Sequence, residues 1–512
     1  MRIELTTPLY YVNAEPHLGH TYTTVVVDTL ARFHRSMGRD VFFLTGTDEH
    51  GDKIAQAAQA AGDSPRAYAD RISDLFRSTW DACGITYDHF IRTTDAYHVG
   101  FVQKVLGRVY EKGDIYFGEY AGNYCTGCER YYGERELVEG KCPDHQIELE
   151  WIKEENYFFR LGKYQQQLID HIRANPDFIR PEGYRSEVLG LLREPLDDLC
   201  ISRPANRLEW GIRLPFDDDY VTYVWFDALL NYRSALEHAK GDAAEEYWRN
   251  ANHFIAKDIV KPHAVFWPAM LLSAGFPLFR HLNVHGYWNM GTSKMSKSLG
   301  NVVRPLEMKA RYGLDSFRYF LLREMSFGMD SRFSEDSFVT RFNGDLSNGL
   351  GNLVSRVLSM QNKYFGGIVQ RSPGALQGPD AELRDTFLRA EKRAVACLEE
   401  TAFHLALEEI WKALAACDKY IVETAPFKLW KVEASRPRVG QILHLLCDAL
   451  RHTARLIAPF MPDTADAIAG MLACDPGRLG ETPPVWGSFF GPDHRVGKPE
   501  SLFPRIELDN RA

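Results

Sequence analysis

LYYVNAEPHLGHTYTTVVVDTLARFHRS, residues 9–36, followed by VFFL at Val41 to Leu44, is the stretch that decides the fold. A short apolar run at Leu9 to Val12 passes through a Pro-containing turn into a helical run from Leu18 to Ser36. VFFL is then too short and too β-branched or aromatic for anything but a strand. Helical periodicity resumes from about Lys53 to Cys83 and again from Tyr97 to Glu111. The same alternation returns with HFIAKD at His253 to Asp258, a helix through AVFWPAMLLSAG, and strand-like HLNVHGYW at His281 to Trp288. Parallel neighbours need a crossover, so strands alternating with helices predict an α/β fold with a doubly wound, Rossmann-like parallel sheet.

Two regions depart from that rhythm. From about Tyr116 to Asp219 the chain has clustered cysteines, many Tyr and Phe, and short runs bounded by Gly and Pro, which read as an insertion domain. From about Asn343 onward helical patterns dominate: GLGNLVSRVLSMQNKYF, then Arg384 to Thr424, then Val439 to Met461. They predict an α-helical bundle, with a Gly/Pro-rich loop near Gly366 to Asp380. The expected division is a first half of the α/β domain over 1–115, the insertion over 116–219, the second half of the α/β domain with a basic loop over 220–342, and a helical domain with a tail over 343–512.

The length of 512 residues suits several cores, and 45% hydrophobic with 25% charged residues argues for a folded chain. A net charge of -9 excludes coating of nucleic acid by bulk charge, and leaves room for a local basic groove. The apolar run Ile442 to Met461 carries Asp448, Arg451, His452 and Arg455, so it reads as a core helix and no membrane span is expected. MRIELTTPLYYV has neither the basic region nor the apolar segment of a secretory signal, and a cytoplasmic location is expected.

Three short patterns carry chemistry. His17, Leu18, Gly19 and His20 stand where a helix begins, and there backbone N–H groups and two imidazoles favour phosphate. The plain alternative is a pair of capping histidines. NMGTSKMSKSLGN offers Lys294, Lys297 and Ser298 on a basic loop suited to a triphosphate. Taken alone it is also a solvated turn, or a Walker-type loop in which Ser296 stands where the second glycine belongs. Cys125-x-x-Cys128 and Cys142-x-x-His145 are two ligand pairs at the spacing of a closed tetrahedral zinc site; four protein ligands leave the metal a structural role.

The first two patterns together resemble the signature pair of the class I aminoacyl-tRNA synthetases. TGTDEHG at Thr45 to Gly51, YVWFDALLNY at Tyr223 to Tyr232, KDIVKPHAVFWPAM at Lys257 to Met270 and HGYW at His285 to Trp288 narrow the likeness to bacterial-type methionyl-tRNA synthetases with a single zinc knuckle, across nearly the whole chain. The resemblance implies a methionine pocket of Leu9, Tyr11, Asp48, Trp225, Ala228, Leu229, Tyr232 and His285. Asp48 would hold the ammonium group, and Tyr11 and His285 would reach the thioether. It also implies catalytic roles for His17, His20, Lys294 and Lys297, ATP contacts from these with Gly19 and Ser298, and magnesium arriving with ATP. Anticodon contacts fall on Asn352, Arg356 and Phe427, the last where some relatives have a stacking tryptophan. Expected partners are ATP, L-methionine, and initiator and elongator methionine tRNA; a monomer is expected because the chain ends soon after LFPRIELDN. Two other readings stand beside this one: a class I synthetase for a different amino acid, and a non-catalytic RNA-binding protein on the same scaffold.

Overall fold

The computed structural model describes residues 1–512 except 14, 126–129, 133–136, 144–145, 223, 291–292, 295–302, 371–375, 476–485, 487–488, 492 and 508–512. The chain forms two compact units, Met1–Gly286 and Tyr287–Ala512.

The first unit is built on a parallel sheet. β1 (Arg2–Thr6), β2 (Tyr10–Tyr11), β3 (Asp40–Asp48) and β4 (His89–Arg92) are joined in it by Ile179–Arg180, Ala251–Ala256 and His281–His285. β1 runs parallel to β3 on one side, with Glu4 opposite Phe42, and to Ala251–Ala256 on the other, with Thr6 opposite His253. The chain leaves β1 toward β3 and later returns on the opposite side, so the strand order reverses at β1. A crevice at the carboxyl ends of strands flanking such a reversal is the usual ligand site of an open α/β sheet.

The sequence pattern missed β1. RIELT has a charged residue at its centre, yet Glu4 is fully buried. Burial pushes its carboxyl well above the usual carboxylate range, against a smaller opposing pull from Arg233. Helix α1 (Leu18–Ser36) has the bounds read from sequence. It buries Leu18, Tyr22, Val25, Val26 and Leu30, and Gly38 (φ 71°) in the left-handed region lets the chain turn back toward β3. The run from Lys53 to Cys83 is two helices, α2 (Asp52–Ala61) and α3 (Pro65–Ala82). Gly62 (φ 73°) ends the first; Ser64 accepts from the Ala67 amide and Pro65 opens the second. Helix α4 (Ala96–Glu111) follows β4.

Within the span read as an insertion, Ile115–Cys125 and Glu150–Phe159 form a long antiparallel pair flanked by Arg130–Tyr132 and Leu199–Cys200. Part of the span belongs to the main core. Ile179–Arg180 adds an edge to the parallel sheet, with Ile179 opposite Leu282, and Leu168, Ile172 and Val188 from two flanking helices are buried against the same core. The apolar faces of those helices are what require this: a small insertion offers too little surface to cover them.

The second unit opens with a three-stranded sheet in which Trp288–Met290 lies between Ser293–Lys294 and Ser331–Phe333. Helices follow, the longest being Asn352–Phe365, Pro379–Glu399, Phe403–Thr424 and Arg436–Ile457. Leu407, Ile410 and Leu414 of one helix, and Leu443, Leu446 and Leu450 of another, are buried in the bundle. Late residues fold back on it: Val369 N–H donates to His494 O at 2.8 Å, and Asn343 exchanges two hydrogen bonds with the backbone of Ile506. Among the described residues, no helix is long and apolar enough to cross a membrane.

Candidate functional site

The first turn of α1 follows β1 and β2, the strands beside the reversal in strand order. His17 is its N-cap, and its Nδ1 accepts from Gly19 N–H at 3.1 Å. His20 reciprocates, its Nδ1 accepting from His17 N–H at 3.4 Å, and the two rings stack with centroids 3.8 Å apart. With Nδ1 used as acceptor on both rings, the neutral proton belongs on Nε2, which makes both side chains donors at a helix N-terminus. A Cβ on Gly19 would stand 3.0 Å from His17 Cε1 and 3.2 Å from its Nδ1, so glycine leaves the imidazole its place. Tyr10, stacked on Phe76, sends its hydroxyl to His20 O and Thr24 Oγ1, tying β2 to this turn.

The amino-acid candidates lie on several elements of the first unit. Tyr11 pairs with Asp48 where β2 meets the end of β3, and Val12 N–H donates to Asp48 O at 3.2 Å. Asp48 is buried, 3% exposed. Leu9 and Trp225 are half-buried against the core that contains Leu229 and Tyr232, and Ala228 is buried beside them. Tyr11 and Asp48 lie on β2 and β3, whereas Trp225 and Ala228 lie on the helix Val224–Ala228 and Tyr232 on the helix Asn231–Lys240.

His285 ends the strand His281–His285, and both of its ring nitrogens have partners within the fold. Nδ1–H donates to Gly286 O at 2.7 Å, and Nε2 accepts from Thr23 Oγ1 at 2.7 Å. Burial lowers its pKa to about 4, so the ring is neutral and both nitrogens are committed within the fold. Through these two bonds His285 fastens α1 to the strand end. The histidine bonded to Tyr232 is His263, whose Nε2 accepts from the Tyr232 hydroxyl at 2.9 Å while its Nδ1–H donates to Ile259 O. Burial brings this ring's pKa to about 4 as well. Sequence reasoning quoted KDIVKPHAVFWPAM without singling out His263; the signal was that a buried tyrosine hydroxyl needs a partner.

Two more groups at the end of β3 escaped notice. Glu49 is held by Arg92 through bonds of 2.7 and 2.9 Å and by Thr94 Oγ1 at 2.6 Å. His50 donates from Nδ1 to Asp227 Oδ2 at 2.7 Å.

The metal and basic-loop candidates are described in part. Cys125 and Cys142 are fully buried and share a small core with Tyr132, packed by Leu137 and Leu149. A turn returns on Cys142, with Gln146 N–H donating to Cys142 O at 2.7 Å. Cys128 and His145 lie outside the described residues, as do Lys297 and Ser298. Lys294 ends the short strand opposite Asn289, and its side chain also lies outside the description. In the second unit, Asn352 is exposed at the start of its helix. Arg356 pairs with Asp418 Oδ1 at 2.6 Å, and Phe427 is 47% exposed after the left-handed turn at Ala425. Trp430, three residues on, is stacked on Tyr364 at 4.6 Å.

The chain matches the family model described as "tRNA synthetases class I (M)" over residues 3–150 and 145–358. It is 44% identical to the methionine–tRNA ligase of Caldanaerobacter subterraneus subsp. tengcongensis over 99% of this chain and 79% of that one. It is 41% identical to the methionine–tRNA ligase of Thermosynechococcus vestitus over 98% and 97%. Among solved structures it is similar to Mycobacterium tuberculosis methionyl-tRNA synthetase bound by methionyl-adenylate, with a TM-score of 0.93 and 41% identity, covering 98% of this chain and 100% of that one.

Proposed function

We propose a division of labour among the residues of this chain, which belongs to the class I methionyl-tRNA synthetases. The enzyme joins L-methionine to ATP with release of pyrophosphate, then passes the methionyl group from the adenylate to tRNA, leaving AMP. Its first step brings an anionic carboxylate to an anionic α-phosphate. The carboxylate is already a nucleophile at neutral pH, so the work is positioning and charge stabilisation. His17 and His20 are assigned to the phosphates through their Nε2–H donors, with Gly19 allowing close approach. Lys294 and Lys297 are assigned the charge that builds at the α-phosphate and on the departing pyrophosphate, and Ser298 an ATP contact. Magnesium accompanies ATP.

For methionine, Asp48 takes the ammonium group, while Leu9, Tyr11, Trp225, Ala228, Leu229 and Tyr232 enclose the thioether chain, which suits apolar and aromatic walls. His263 fixes the Tyr232 hydroxyl, and His285 acts from behind, through Thr23. The observation that carries this reading is that β2 is tied on one side to the first turn of α1 through the Tyr10 hydroxyl and on the other to Asp48 through its pairing with Tyr11. In the domain scheme 1–115, 116–219, 220–342 and 343–512, the last segment reads the anticodon of initiator and elongator tRNA through Asn352, Arg356 and Phe427. A monomer working in the cytoplasm completes the proposal.

Zinc suits the knuckle. Cys125 and Cys142, buried in a core with few other side chains, are thiols that as thiolates would be costly without a cation, and Cys128 and His145 complete a tetrahedral set. The metal would hold the knuckle's fold. The test of function is amino-acid-dependent ATP–pyrophosphate exchange by the purified chain across the twenty standard amino acids. Exchange with methionine alone is expected; exchange driven by another amino acid would overturn the pocket assignment.

A further inference from the structure

We propose that Asp227 and His50 form a positioning clamp for the methionine pocket, with His50 acting through Asp227 and not on the substrate. The inference rests on the pocket reading above. Asp227 lies in the helix Val224–Ala228, which also carries Trp225 and Ala228, and is 1% exposed. Its Oδ2 accepts from His50 Nδ1 at 2.7 Å and its Oδ1 from His98 Nε2 at 2.8 Å. His50 comes two residues after Asp48, and His98 belongs to α4. The other nitrogen of His98 meets Ser234 Oγ at 2.7 Å, and Ser234 lies two residues beyond Tyr232 on the helix Asn231–Lys240. One carboxylate thus joins the strand end bearing Asp48 to the helix bearing Trp225 and, through His98, to the helix bearing Tyr232.

The chemistry explains why an ionisable group sits there. A carboxylate in such a place is unfavourable unless it is paired and hydrogen-bonded, and an apolar side chain would fill the same space without that penalty. Burial by itself would raise the Asp227 pKa, but the two imidazoles outweigh it and hold the carboxyl below its usual range, so the bridge is charged. What an apolar residue lacks is direction. Bonds of fixed length from two sides set where Val224–Ala228 lies against the end of β3, and so the distance from Trp225 and Ala228 to Asp48. Asp48 is further steadied by its neighbour Glu49, held by Arg92 and Thr94.

The test compares three substitutions of His50 in the full chain. His50→Leu removes the donor. His50→Asn keeps an amide N–H near the former Nδ1, within reach of Asp227, and His50→Gln moves the amide out to the former Nε2 position. With steady-state kinetics of pyrophosphate exchange, His50→Leu and His50→Gln should raise the methionine KM about tenfold, the scale of a lost hydrogen bond to a charged group, with the ATP KM and kcat within about twofold. His50→Asn should bring the methionine KM back to within about threefold of the parent chain. If Asn and Gln lower kcat equally and neither restores methionine binding, His50 works on the substrate and the clamp is wrong. An unchanged methionine KM in all three would also overturn it. Should His50→Leu not fold, the Asn and Gln variants decide the matter between them. Trp225→Ala, measured in parallel, separates the two levels: no rise in its methionine KM would remove the pocket reading, whereas a rise there with none in the His50 variants would remove the clamp alone.

Discussion

Gly46→Ala should be among the most damaging single-atom additions to this protein. Gly46 lies in β3, opposite Ile91 of β4, two residues before Asp48. A Cβ built there would stand 2.0 Å from the Ile91 carbonyl oxygen, 2.7 Å from Ile91 Cγ2 and 2.9 Å from the carbonyl carbon. Because the first obstacle is backbone, no rotamer change relieves it; the two strands must separate by an ångström or more over the stretch Leu44 to Thr47. That strains or breaks ladder bonds worth about 1 kcal/mol each and opens buried packing on both sides, so a loss of about 3–5 kcal/mol is expected. Against a typical total of about 5–15 kcal/mol this leaves a marginal fold. The control is Gly100→Ala in α4, where a Cβ meets nothing within 4 Å and the helix should gain about 0.5–1 kcal/mol. Urea unfolding followed by tryptophan fluorescence reads both, and pyrophosphate exchange reports whether Asp48 has moved. A Gly46→Ala protein that unfolds at the parent's urea concentration would refute the close approach of β3 and β4.

Other consequences are equally direct. Arg356→Ala should leave pyrophosphate exchange intact and reduce tRNA charging roughly ten- to hundredfold; loss of the half-exposed pair with Asp418 should change stability by no more than about 1 kcal/mol, and equal loss in both assays would point to the fold instead. Native protein should hold one zinc per chain by elemental analysis, and Cys125→Ser or Cys142→Ser should abolish it; full occupancy in either variant would move the site elsewhere. Acid should weaken the first unit. Burial holds His263, His281 and His285 down at about 4, whereas the unfolded chain takes up these protons near 6.5, so stability is full above 6.5 and is lost as pH falls toward 4. By pH 5 each ring accounts for about 2 kcal/mol, and a urea midpoint unchanged between pH 7 and pH 5 would contradict the burial of these rings.

Local signals were legible in the sequence. The bounds of α1 follow from a helical run with a histidine cap at one end and a glycine at the other, and VFFL falls inside β3. The cysteine spacing, the two signature patterns and the likeness to the methionyl family are strings of neighbouring residues, so they survive without coordinates. The family match bears out the doubly wound parallel sheet and the helical region that follows it.

What the tertiary structure decided is wherever a residue's meaning depends on a distant partner. RIELT gives no strand signal in the sequence, yet the sheet surrounds Glu4 and burial pushes its carboxyl well above the usual range. Ile179–Arg180 looks like part of an insertion until it pairs with the strand carrying Leu282. The sequence singles out His285 and leaves His263 unremarked inside KDIVKPHAVFWPAM; only the fold bonds both nitrogens of His285 to its own neighbours and sets His263 against Tyr232. The chain itself determined its periodicity and its motifs, because backbone preference and ligand spacing act over a few residues. Which partners each histidine takes, which carboxyl is pushed up or held down and which strand lies at the centre were decided by folding, because burial and hydrogen bonding between residues up to 262 apart set them.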